Sequence, residues 1–566
     1  MISWIDWGVL LFSLLFITLY GVWKTKKNTD TRSYLVGHQE LKWWTIGFSI
    51  MATQASAITF LSTPGQAFED GMRFIQFYLG LPLAMIVISI FILPKYYKLN
   101  VHTAYEYLEQ RFDVRVRIVT AILFLLLRGL SASITLIAPV IILSTLFGWS
   151  MLFTILMIGG FVIIYTMIGG SSAVSKTQMQ QMAIILSGLI LAIILIYNKL
   201  PEGIGLKETF SIAGAAGKMN MIDLKFDLHQ RYNIWSGIIA SFFLFLSYFG
   251  TDQSQVQRYL SGKSLTESRL GLLFNGLLKV PMQFLVLLTG LMVYIFFLFH
   301  QPPLHFNVAN KIAIHNTPVA AQYDALEKKF DHVFIERKDF IESGIKTHSF
   351  DNPDFAARFK TYNDSINSLR SEARTIISKQ VPLAKVKDQD YIFMNFVLNN
   401  FPKGVIGLLL AMIFAAAMSS TASEISALTT ASIIDIYKRI WNKDKLDTHY
   451  LSISKFVTVG WGILIMCFAL WAAPFENLIQ AVNILGSLFY GTILGIVLTA
   501  IFLKRANTVG VLVGAFIAES LVLFGYFFTT VGYLWFNVLG CLVVMLIASV
   551  VSEFLGKGSE KLRVKS

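Results

Sequence analysis

Residues 52–59 read Ala-Thr-Gln-Ala-Ser-Ala-Ile-Thr inside a long apolar run, and Pro64-Gly65 follows. Small and β-branched polar residues at that depth permit a helix to break, and a break frees backbone carbonyls to coordinate a cation. Close helix packing through small residues explains the same composition. A second stretch, residues 415–423, reads Ala-Ala-Ala-Met-Ser-Ser-Thr-Ala-Ser. Ser419 and Ser420 offer adjacent hydroxyls, and the Ala416 carbonyl lies three residues earlier on nearly the same helix face. Uncharged hard oxygens suit a monovalent cation that must also leave; small-residue packing again fits equally. If both stretches serve a cation, uncharged oxygens from two interrupted segments would hold an alkali-metal ion in the middle of the fold; close packing is the other open reading.

Charged residues within apolar runs are the next signal. Arg128 lies 11 residues beyond Arg117 on one run, about 17 Å along a helix and near the middle of a hydrocarbon layer about 30 Å thick. An arginine there faces a cavity or a partner, and guanidinium pairs well with carboxylate. A bound carboxylate and a structural ion pair both satisfy that rule. Lys279 lies less deep on a later run, and Asp252 is a possible partner for either cation. If they pair, the charges cancel and the case for a bound anion weakens. Gln54, Ser56, Thr59, Gln76, Gln253 and Asn483 are further pocket candidates, each equally suited to interhelical hydrogen bonds. No HExxH, GxSxG or nucleotide-loop sequence stands at a useful position, so no enzyme is expected.

The elements that must position these residues are membrane helices. The 566 residues are 55% hydrophobic and 14% charged, against about a quarter charged in soluble chains. Apolar runs of about 20 residues match a bilayer crossing, and hydropathy gives about thirteen of them. The net charge of +13 does not point to nucleic acid, because Lys and Arg gather in short loops beside the spans. Loops such as Arg258 to Arg269 and the tail Lys557 to Lys565 are basic, whereas those near Glu69, Gly148, Glu476 and Thr530 are nearly free of Lys and Arg. The N-terminus is therefore expected outside and the C-terminus inside. The first span, about Ile5 to Trp23, is read as a retained helix, since no basic region precedes it. Cys467 and Cys541 are expected to be core residues without a disulfide.

Residues 301–395 are polar. Phe355, Phe359, Tyr362, Ile366, Leu369, Ala373 and Ile376 recur at spacings of four and three, and Tyr323, Leu326, Phe330, Val333 and Phe340 largely follow suit. An external helical hairpin is predicted, with Asn352-Pro353 leading its second helix and a sequon at Asn363. An inserted loop without function and a device for an unknown partner are both open. The domain reading is thus 1–300 (spans one to eight), 301–395 (extracytoplasmic hairpin) and 396–566 (spans nine to thirteen with a basic tail).

The chain resembles the sodium/solute symporter family, whose members carry sugars, proline, sialic acid, monocarboxylates, iodide and vitamins. Four stretches carry the likeness: Ser56 to Pro64, Gly169-Gly170 with Ala173-Val174, Asp252 to Tyr259, and Met418-Ser419-Ser420 with Asp435-Ile436-Tyr437. The Thr-Phe-Leu-x-Thr-Pro and Val-Gln-Arg-Tyr forms are similar to the monocarboxylate, iodide and multivitamin branch. The resemblance implies an all-α polytopic, leucine-transporter-like fold with a five-plus-five inverted repeat. It implies a multi-pass protein of the plasma or bacterial inner membrane that takes sodium and a small solute as partners. The implied sodium ligands are the carbonyls of Ala52, Ala55 and Ala416 and the hydroxyls of Ser419 and Ser420. A second sodium seen in some members needs an Asp where this chain has Gln178, and a hydroxyl where it has Ala422, so one sodium is expected. Sugar members place a Glu-Gln pair at Ile58-Thr59 and a Gln at Val482, so a sugar is disfavoured. The sialic acid branch uses an Arg on the helix of Arg128, and sugar members have a Lys near the substrate that Lys279 resembles. The reading is import of a carboxylate-bearing anion with one sodium. A sugar symporter is the alternative, and a solute sensor a more distant one, with no kinase domain following Lys565.

Overall fold

The computed structural model describes residues 3–25, 30–37, 39–381, 386–443, 445–472 and 478–555. The basic tail after Lys557 and the loop at Glu476 lie outside the described residues. Among the described residues the architecture is helical, with one isolated bridge between Leu41 and Gly262, and ten helices are long and apolar enough to cross a membrane. This is the build of a polytopic membrane protein, because in lipid the backbone polar groups are satisfied only within helices or closed barrels.

In chain order the helices that frame the centre are α1 (Trp4–Thr25), α2 (Trp43–Gln54), α3 (Ala57–Asp70), α4 (residues 81–98), α5 (Val114–Phe147) and α6 (Met151–Tyr197). They continue with α7 (Ser241–Thr251), α8 (Gln253–Leu260) and α9 (Leu265–Phe299). The 47 residues of α6 would extend about 70 Å if straight, over twice the hydrocarbon layer. It folds back at Gly170, whose φ of 55° and ψ of −163° only glycine adopts readily. A Cβ at Gly170 would also strike the Tyr34 backbone and ring.

The second apolar run breaks as predicted. Helix α2 ends at Gln54, Ala55 takes ψ 76° and Ser56 ψ 170°, and α3 starts at Ala57. The other expected interruption is absent and is corrected here: α13 (Val405–Ala431) is continuous through Ser419-Ser420 and leads into a π-helical turn, Ser432–Trp441. Its alanines favour helix. The Ser420 and Ser423 hydroxyls donate to the carbonyls four residues back, Ala416 and Ser419, at 3.0 and 2.8 Å, so the polar groups are satisfied within the helix. Asp6 of α1 caps the start of α13, accepting from the Gly404 and Gly407 amides at 2.6 and 2.9 Å.

Outside this body, α10 (Ala320–Thr347) and α11 (Pro353–Gln380) form the predicted hairpin. Asn352 caps α11 through the Asp354 amide at 2.9 Å. The seam buries Tyr323, Leu326, Phe330, Phe334 and Ile341 against Phe355, Phe359, Ile366 and Ala373, so Phe334 takes the core place expected of Val333. Helix α12 (Gln389–Asn400) returns the chain to α13. The remaining long helices are α14 (Asp447–Ala472), α15 (Leu478–Phe502), α16 (Thr508–Phe528) and α17 (Trp535–Phe554). Cys541 is buried as expected. Cys467 is exposed, because α14 turns that face outward rather than to the core.

Candidate ion and solute site

The break at Ala55-Ser56 redirects backbone hydrogen bonds. The Ser56 amide, which an unbroken helix would give to the Ala52 carbonyl, goes instead to Gln54 at 3.0 Å. The Ala52 carbonyl accepts from the Ser419 hydroxyl across the interface at 3.0 Å. The Ser420 hydroxyl lies one residue on, bonded to Ala416 at 3.0 Å. Four of the five implied ligands, Ala52, Ala416, Ser419 and Ser420, therefore lie in two adjoining hydrogen-bonded pairs, and Ala55 occupies the break itself. All are uncharged oxygens, buried, and chemically suited to sodium, which would replace the hydroxyl protons as the partner of the carbonyls.

Beside them Gln178 fills the position where the resemblance puts a carboxylate in some members. Its amide nitrogen donates to Thr53 at 2.9 Å, Ser419 at 3.1 Å and Ser423 at 2.8 Å, and its oxygen accepts from Ser49. A neutral amide donor thus sits among three buried hydroxyls.

The adjoining cavity has a volume of about 100 Å³, smaller than open small-solute pockets. Gln54, Ser56, Ile58, Thr59, Arg128, Ser420 and Asn483 all line it. Arg128 is 3% exposed and is not free. Its Nη1 donates to Glu424 Oε1 at 2.9 Å, and its Nη2 donates to Asp252 and to the Tyr490 hydroxyl. Tyr490 donates in turn to Asp252 at 2.7 Å. Asp252 sits at the non-helical joint between α7 and α8 and caps α8 through the Ser254 amide at 2.8 Å. One guanidinium thus serves two carboxylates. Glu424 Oε2 has only the Thr135 hydroxyl near it, and that hydroxyl also reaches the Ser131 carbonyl at 3.1 Å.

Three expected pocket residues lie elsewhere, and a fourth stands one layer back. Gln76 accepts from the Asp223 amide at 3.0 Å and donates to the Tyr232 carbonyl at 3.3 Å, because the 3₁₀ turn Gly71–Tyr78 aims it at the loop before α7. Gln253 accepts from the Ala104 amide at 3.2 Å and donates to His102 at 2.7 Å, being on the α8 side of the joint. Lys279 is fully buried behind Tyr78, its Nζ without a hydrogen bond and 6.0 Å from that ring. Asp252 reaches the cavity only through Arg128 and Tyr490. Sequence reading missed Glu424, Tyr490, Tyr248 and Tyr78 as cavity residues. Glu424 was findable, since an acid inside an apolar run obeys the rule that singled out Arg128.

The helical body, the broken span and the central polar cavity define a transporter-like membrane protein, and comparison with known proteins names the class. The chain belongs to the sodium:solute symporter family, which it matches over residues 34–321 and 369–518. It is 25% identical to the sodium/sialic acid symporter SiaT of Proteus mirabilis over 99% of this chain and 97% of that one. It is 29% identical to the human sodium/iodide cotransporter over 48% of this chain and 42% of that one. A solved structure of a substrate-bound, outward-open Na+-coupled sialic acid symporter shares the fold, with a TM-score of 0.76 at 23% identity over 99% of both chains. The protein is a sodium-coupled symporter of small solutes, and sodium is its coupling ion.

Proposed function

We propose that the chain imports a small carboxylate-bearing organic anion by alternating access, with one sodium ion per cycle. The observation that carries this reading is the Ala52 carbonyl, released by the broken span and held against Ser419, directly beside the cavity that contains Arg128. Sodium at Ala52, Ala55, Ala416, Ser419 and Ser420 would join α2 to α13 and order the break that forms one cavity wall. Each ligand then favours the same state, which is what coupling requires. Gln178 supports one ion rather than two. The solute carboxylate would exchange with Glu424 on Arg128. Gln54, Ser56, Thr59 and Asn483 would meet its other polar groups, while Asp252 and Tyr490 hold the guanidinium in place. Relatives named for sialic acid and iodide support an anion. The apolar Ile58 and Val482 of the cavity wall speak against a sugar, whose hydroxyls need partners.

A second reading has its own observation. Two carboxylates share Arg128, and Glu424 Oε2 has only the Thr135 hydroxyl near it, which favours a solute with an ammonium or hydroxyl donor. Replacing Glu424 by Gln separates the two. An anion would be carried as well or better, and a donor-bearing solute would be carried worse.

The proposal includes thirteen crossings in a five-plus-five repeat, N-terminus outside and C-terminus inside, in a plasma or bacterial inner membrane. Counting the runs at 57–98 and 151–197 as two crossings each, and adding the short apolar helix Ser236–Thr251, takes the ten membrane-length helices to that number. The test is sodium-jump uptake in proteoliposomes with carboxylates, sialic acid, vitamins, iodide and sugars side by side. Ser419→Ala and Ser420→Ala should each raise half-saturating sodium about tenfold, equivalent to about 1.4 kcal/mol. Unchanged sodium activation in correctly inserted protein, or equal uptake with choline in place of sodium, would remove the site.

A further inference from the structure

A second and larger cavity, of about 720 Å³, lies between the base of the external hairpin and the outer ends of α3 and α9. Part of its wall, including Arg337 and Lys360, comes from the stretch between 321 and 369 that the family match leaves out. The site is therefore built in part on a stretch that the family match does not cover. Its lining carries five cations, Lys218, Arg337, Lys360, Arg370 and Arg374, against three carboxylates, Glu69, Asp70 and Asp364.

Two of the arginines are buried, Arg337 at 4% and Arg370 at 7% exposure, yet neither forms an ion pair among the described residues. Arg337 donates to Asn363 Oδ1 at 3.1 Å and to the Phe297 carbonyl at 3.3 Å, and its Nε has no partner. Arg370 donates to the Pro303 carbonyl at 3.0 Å and otherwise faces the rings of Phe306 and Phe330. Two nearby carboxylates, Glu69 and Asp388, are ion-paired to Arg374 and act on Arg370 only from a distance. Arg374 holds Glu69 at 2.7 Å and Asp388 at 2.8 Å. Lys218 donates to the Glu69 carbonyl and lies 4.9 Å from the Tyr294 ring.

Burial of unpaired cations is costly, and its mark is on all three groups. Burial pushes Lys218 down to about 8 against the pull of Asp70 and Glu69, pushes Arg370 down to about 10 against that of Asp388 and Glu69, and lowers Arg337. Arg337 repels both Lys218 and Arg370, so the three are near neighbours. A planar oxyanion would satisfy what neutral carbonyls do not, because guanidinium pairs with carboxylate or phosphate through two parallel hydrogen bonds.

We propose that this cavity at the base of the hairpin is a binding site for a small oxyanion, carboxylate or phosphate, held by Arg337 and Arg370 with Lys218 and Lys360 at its edge. The site lies outside the transport cavity and does not rest on the transport reading.

The test is binding of succinate and, separately, of inorganic phosphate to the purified full-length protein, followed by calorimetry and by the shift in unfolding temperature. Chloride at matched ionic strength is the reference. The expected result is saturable binding of at least one of the two anions; the tighter one identifies an organic or an inorganic ligand. Arg337→Gln and Arg370→Gln should each weaken that binding about tenfold or more, the loss of one charge-assisted pair. Lys360→Gln, at an exposed position and harmless to the core, should weaken it about threefold, and Lys346→Gln on the outer face of α10 should not change it. Anion-free unfolding of each variant separates lost binding from lost fold. No saturable binding of either anion, or equal binding by wild type, Arg337→Gln and Lys360→Gln, overturns the proposal.

Discussion

Arg128 in the central cavity and the pair Arg337 and Arg370 under the hairpin are all buried, but their partners differ in kind. Arg128 is held by two carboxylates and a tyrosine hydroxyl. The hairpin arginines are held by backbone carbonyls, an asparagine and aromatic rings. Depth accounts for the contrast. In the hydrocarbon layer a bare charge is too costly to leave, so the fold brings its own counter-charges. At the hairpin, beyond the long apolar helices, water and dissolved anions can serve, and the fold leaves these two arginines without a close ion pair among the described residues. A buried cation therefore marks a binding site best where its carboxylates are missing, and the central site must exchange partners to bind an anion.

Mutations can break or sharpen this contrast. The largest effect is expected for Arg128→Ala, which strands Asp252 and Glu424 together. Removing one partner of such a cluster costs about 3–5 kcal/mol, and uptake should be abolished. Chemical unfolding in detergent with parallel uptake checks both, and a variant of wild-type stability would erase the distinction between the two regions. Next comes Glu424→Gln, which keeps an acceptor for Arg128 Nη1 but removes a charge. A cost of about 1–2 kcal/mol is expected, with uptake deciding between anionic and donor-bearing solutes. Gln178→Asp places a carboxylate among Thr53, Ser419 and Ser423, and should steepen sodium activation, read from the Hill slope, at a stability change of about 1 kcal/mol. The smallest effect is expected for Arg337→Gln and Arg370→Gln without added anion. Their unfolding free energy should stay within about 1 kcal/mol of wild type or rise, since an unpaired buried charge is removed. A loss as large as that of Arg128→Ala would mean that these arginines, too, are structurally paired.

Much of this was legible in the chain. The apolar runs, a break allowed within residues 52–59, the hairpin seam and the paired hydroxyls of Ser419 and Ser420 follow from local composition and spacing, while the Ala52 carbonyl was implied by the family resemblance. Continuity of α13 did not follow, because Ser and Thr in an alanine run serve a broken helix and an intact one equally until their hydrogen bonds are known. Gln76 and Gln253 were read as cavity residues from depth alone. A 3₁₀ turn and a capped joint rotate them away, and those rotations depend on what packs against each element.

By itself the sequence determined that this chain lives in a bilayer as helices and that uncharged oxygens and a deep arginine lie inside it, because hydropathy and burial cost are properties of short segments. The tertiary structure alone decided that Arg128 is shared between Asp252, 124 residues away, and Glu424, 296 residues away. It alone decided that Gln178 stands among three hydroxyls from two other helices, and that the hairpin arginines form no close ion pair among the described residues. Charge pairing acts through space over a few ångströms, and only the folded chain fixes which distant residues come within that reach.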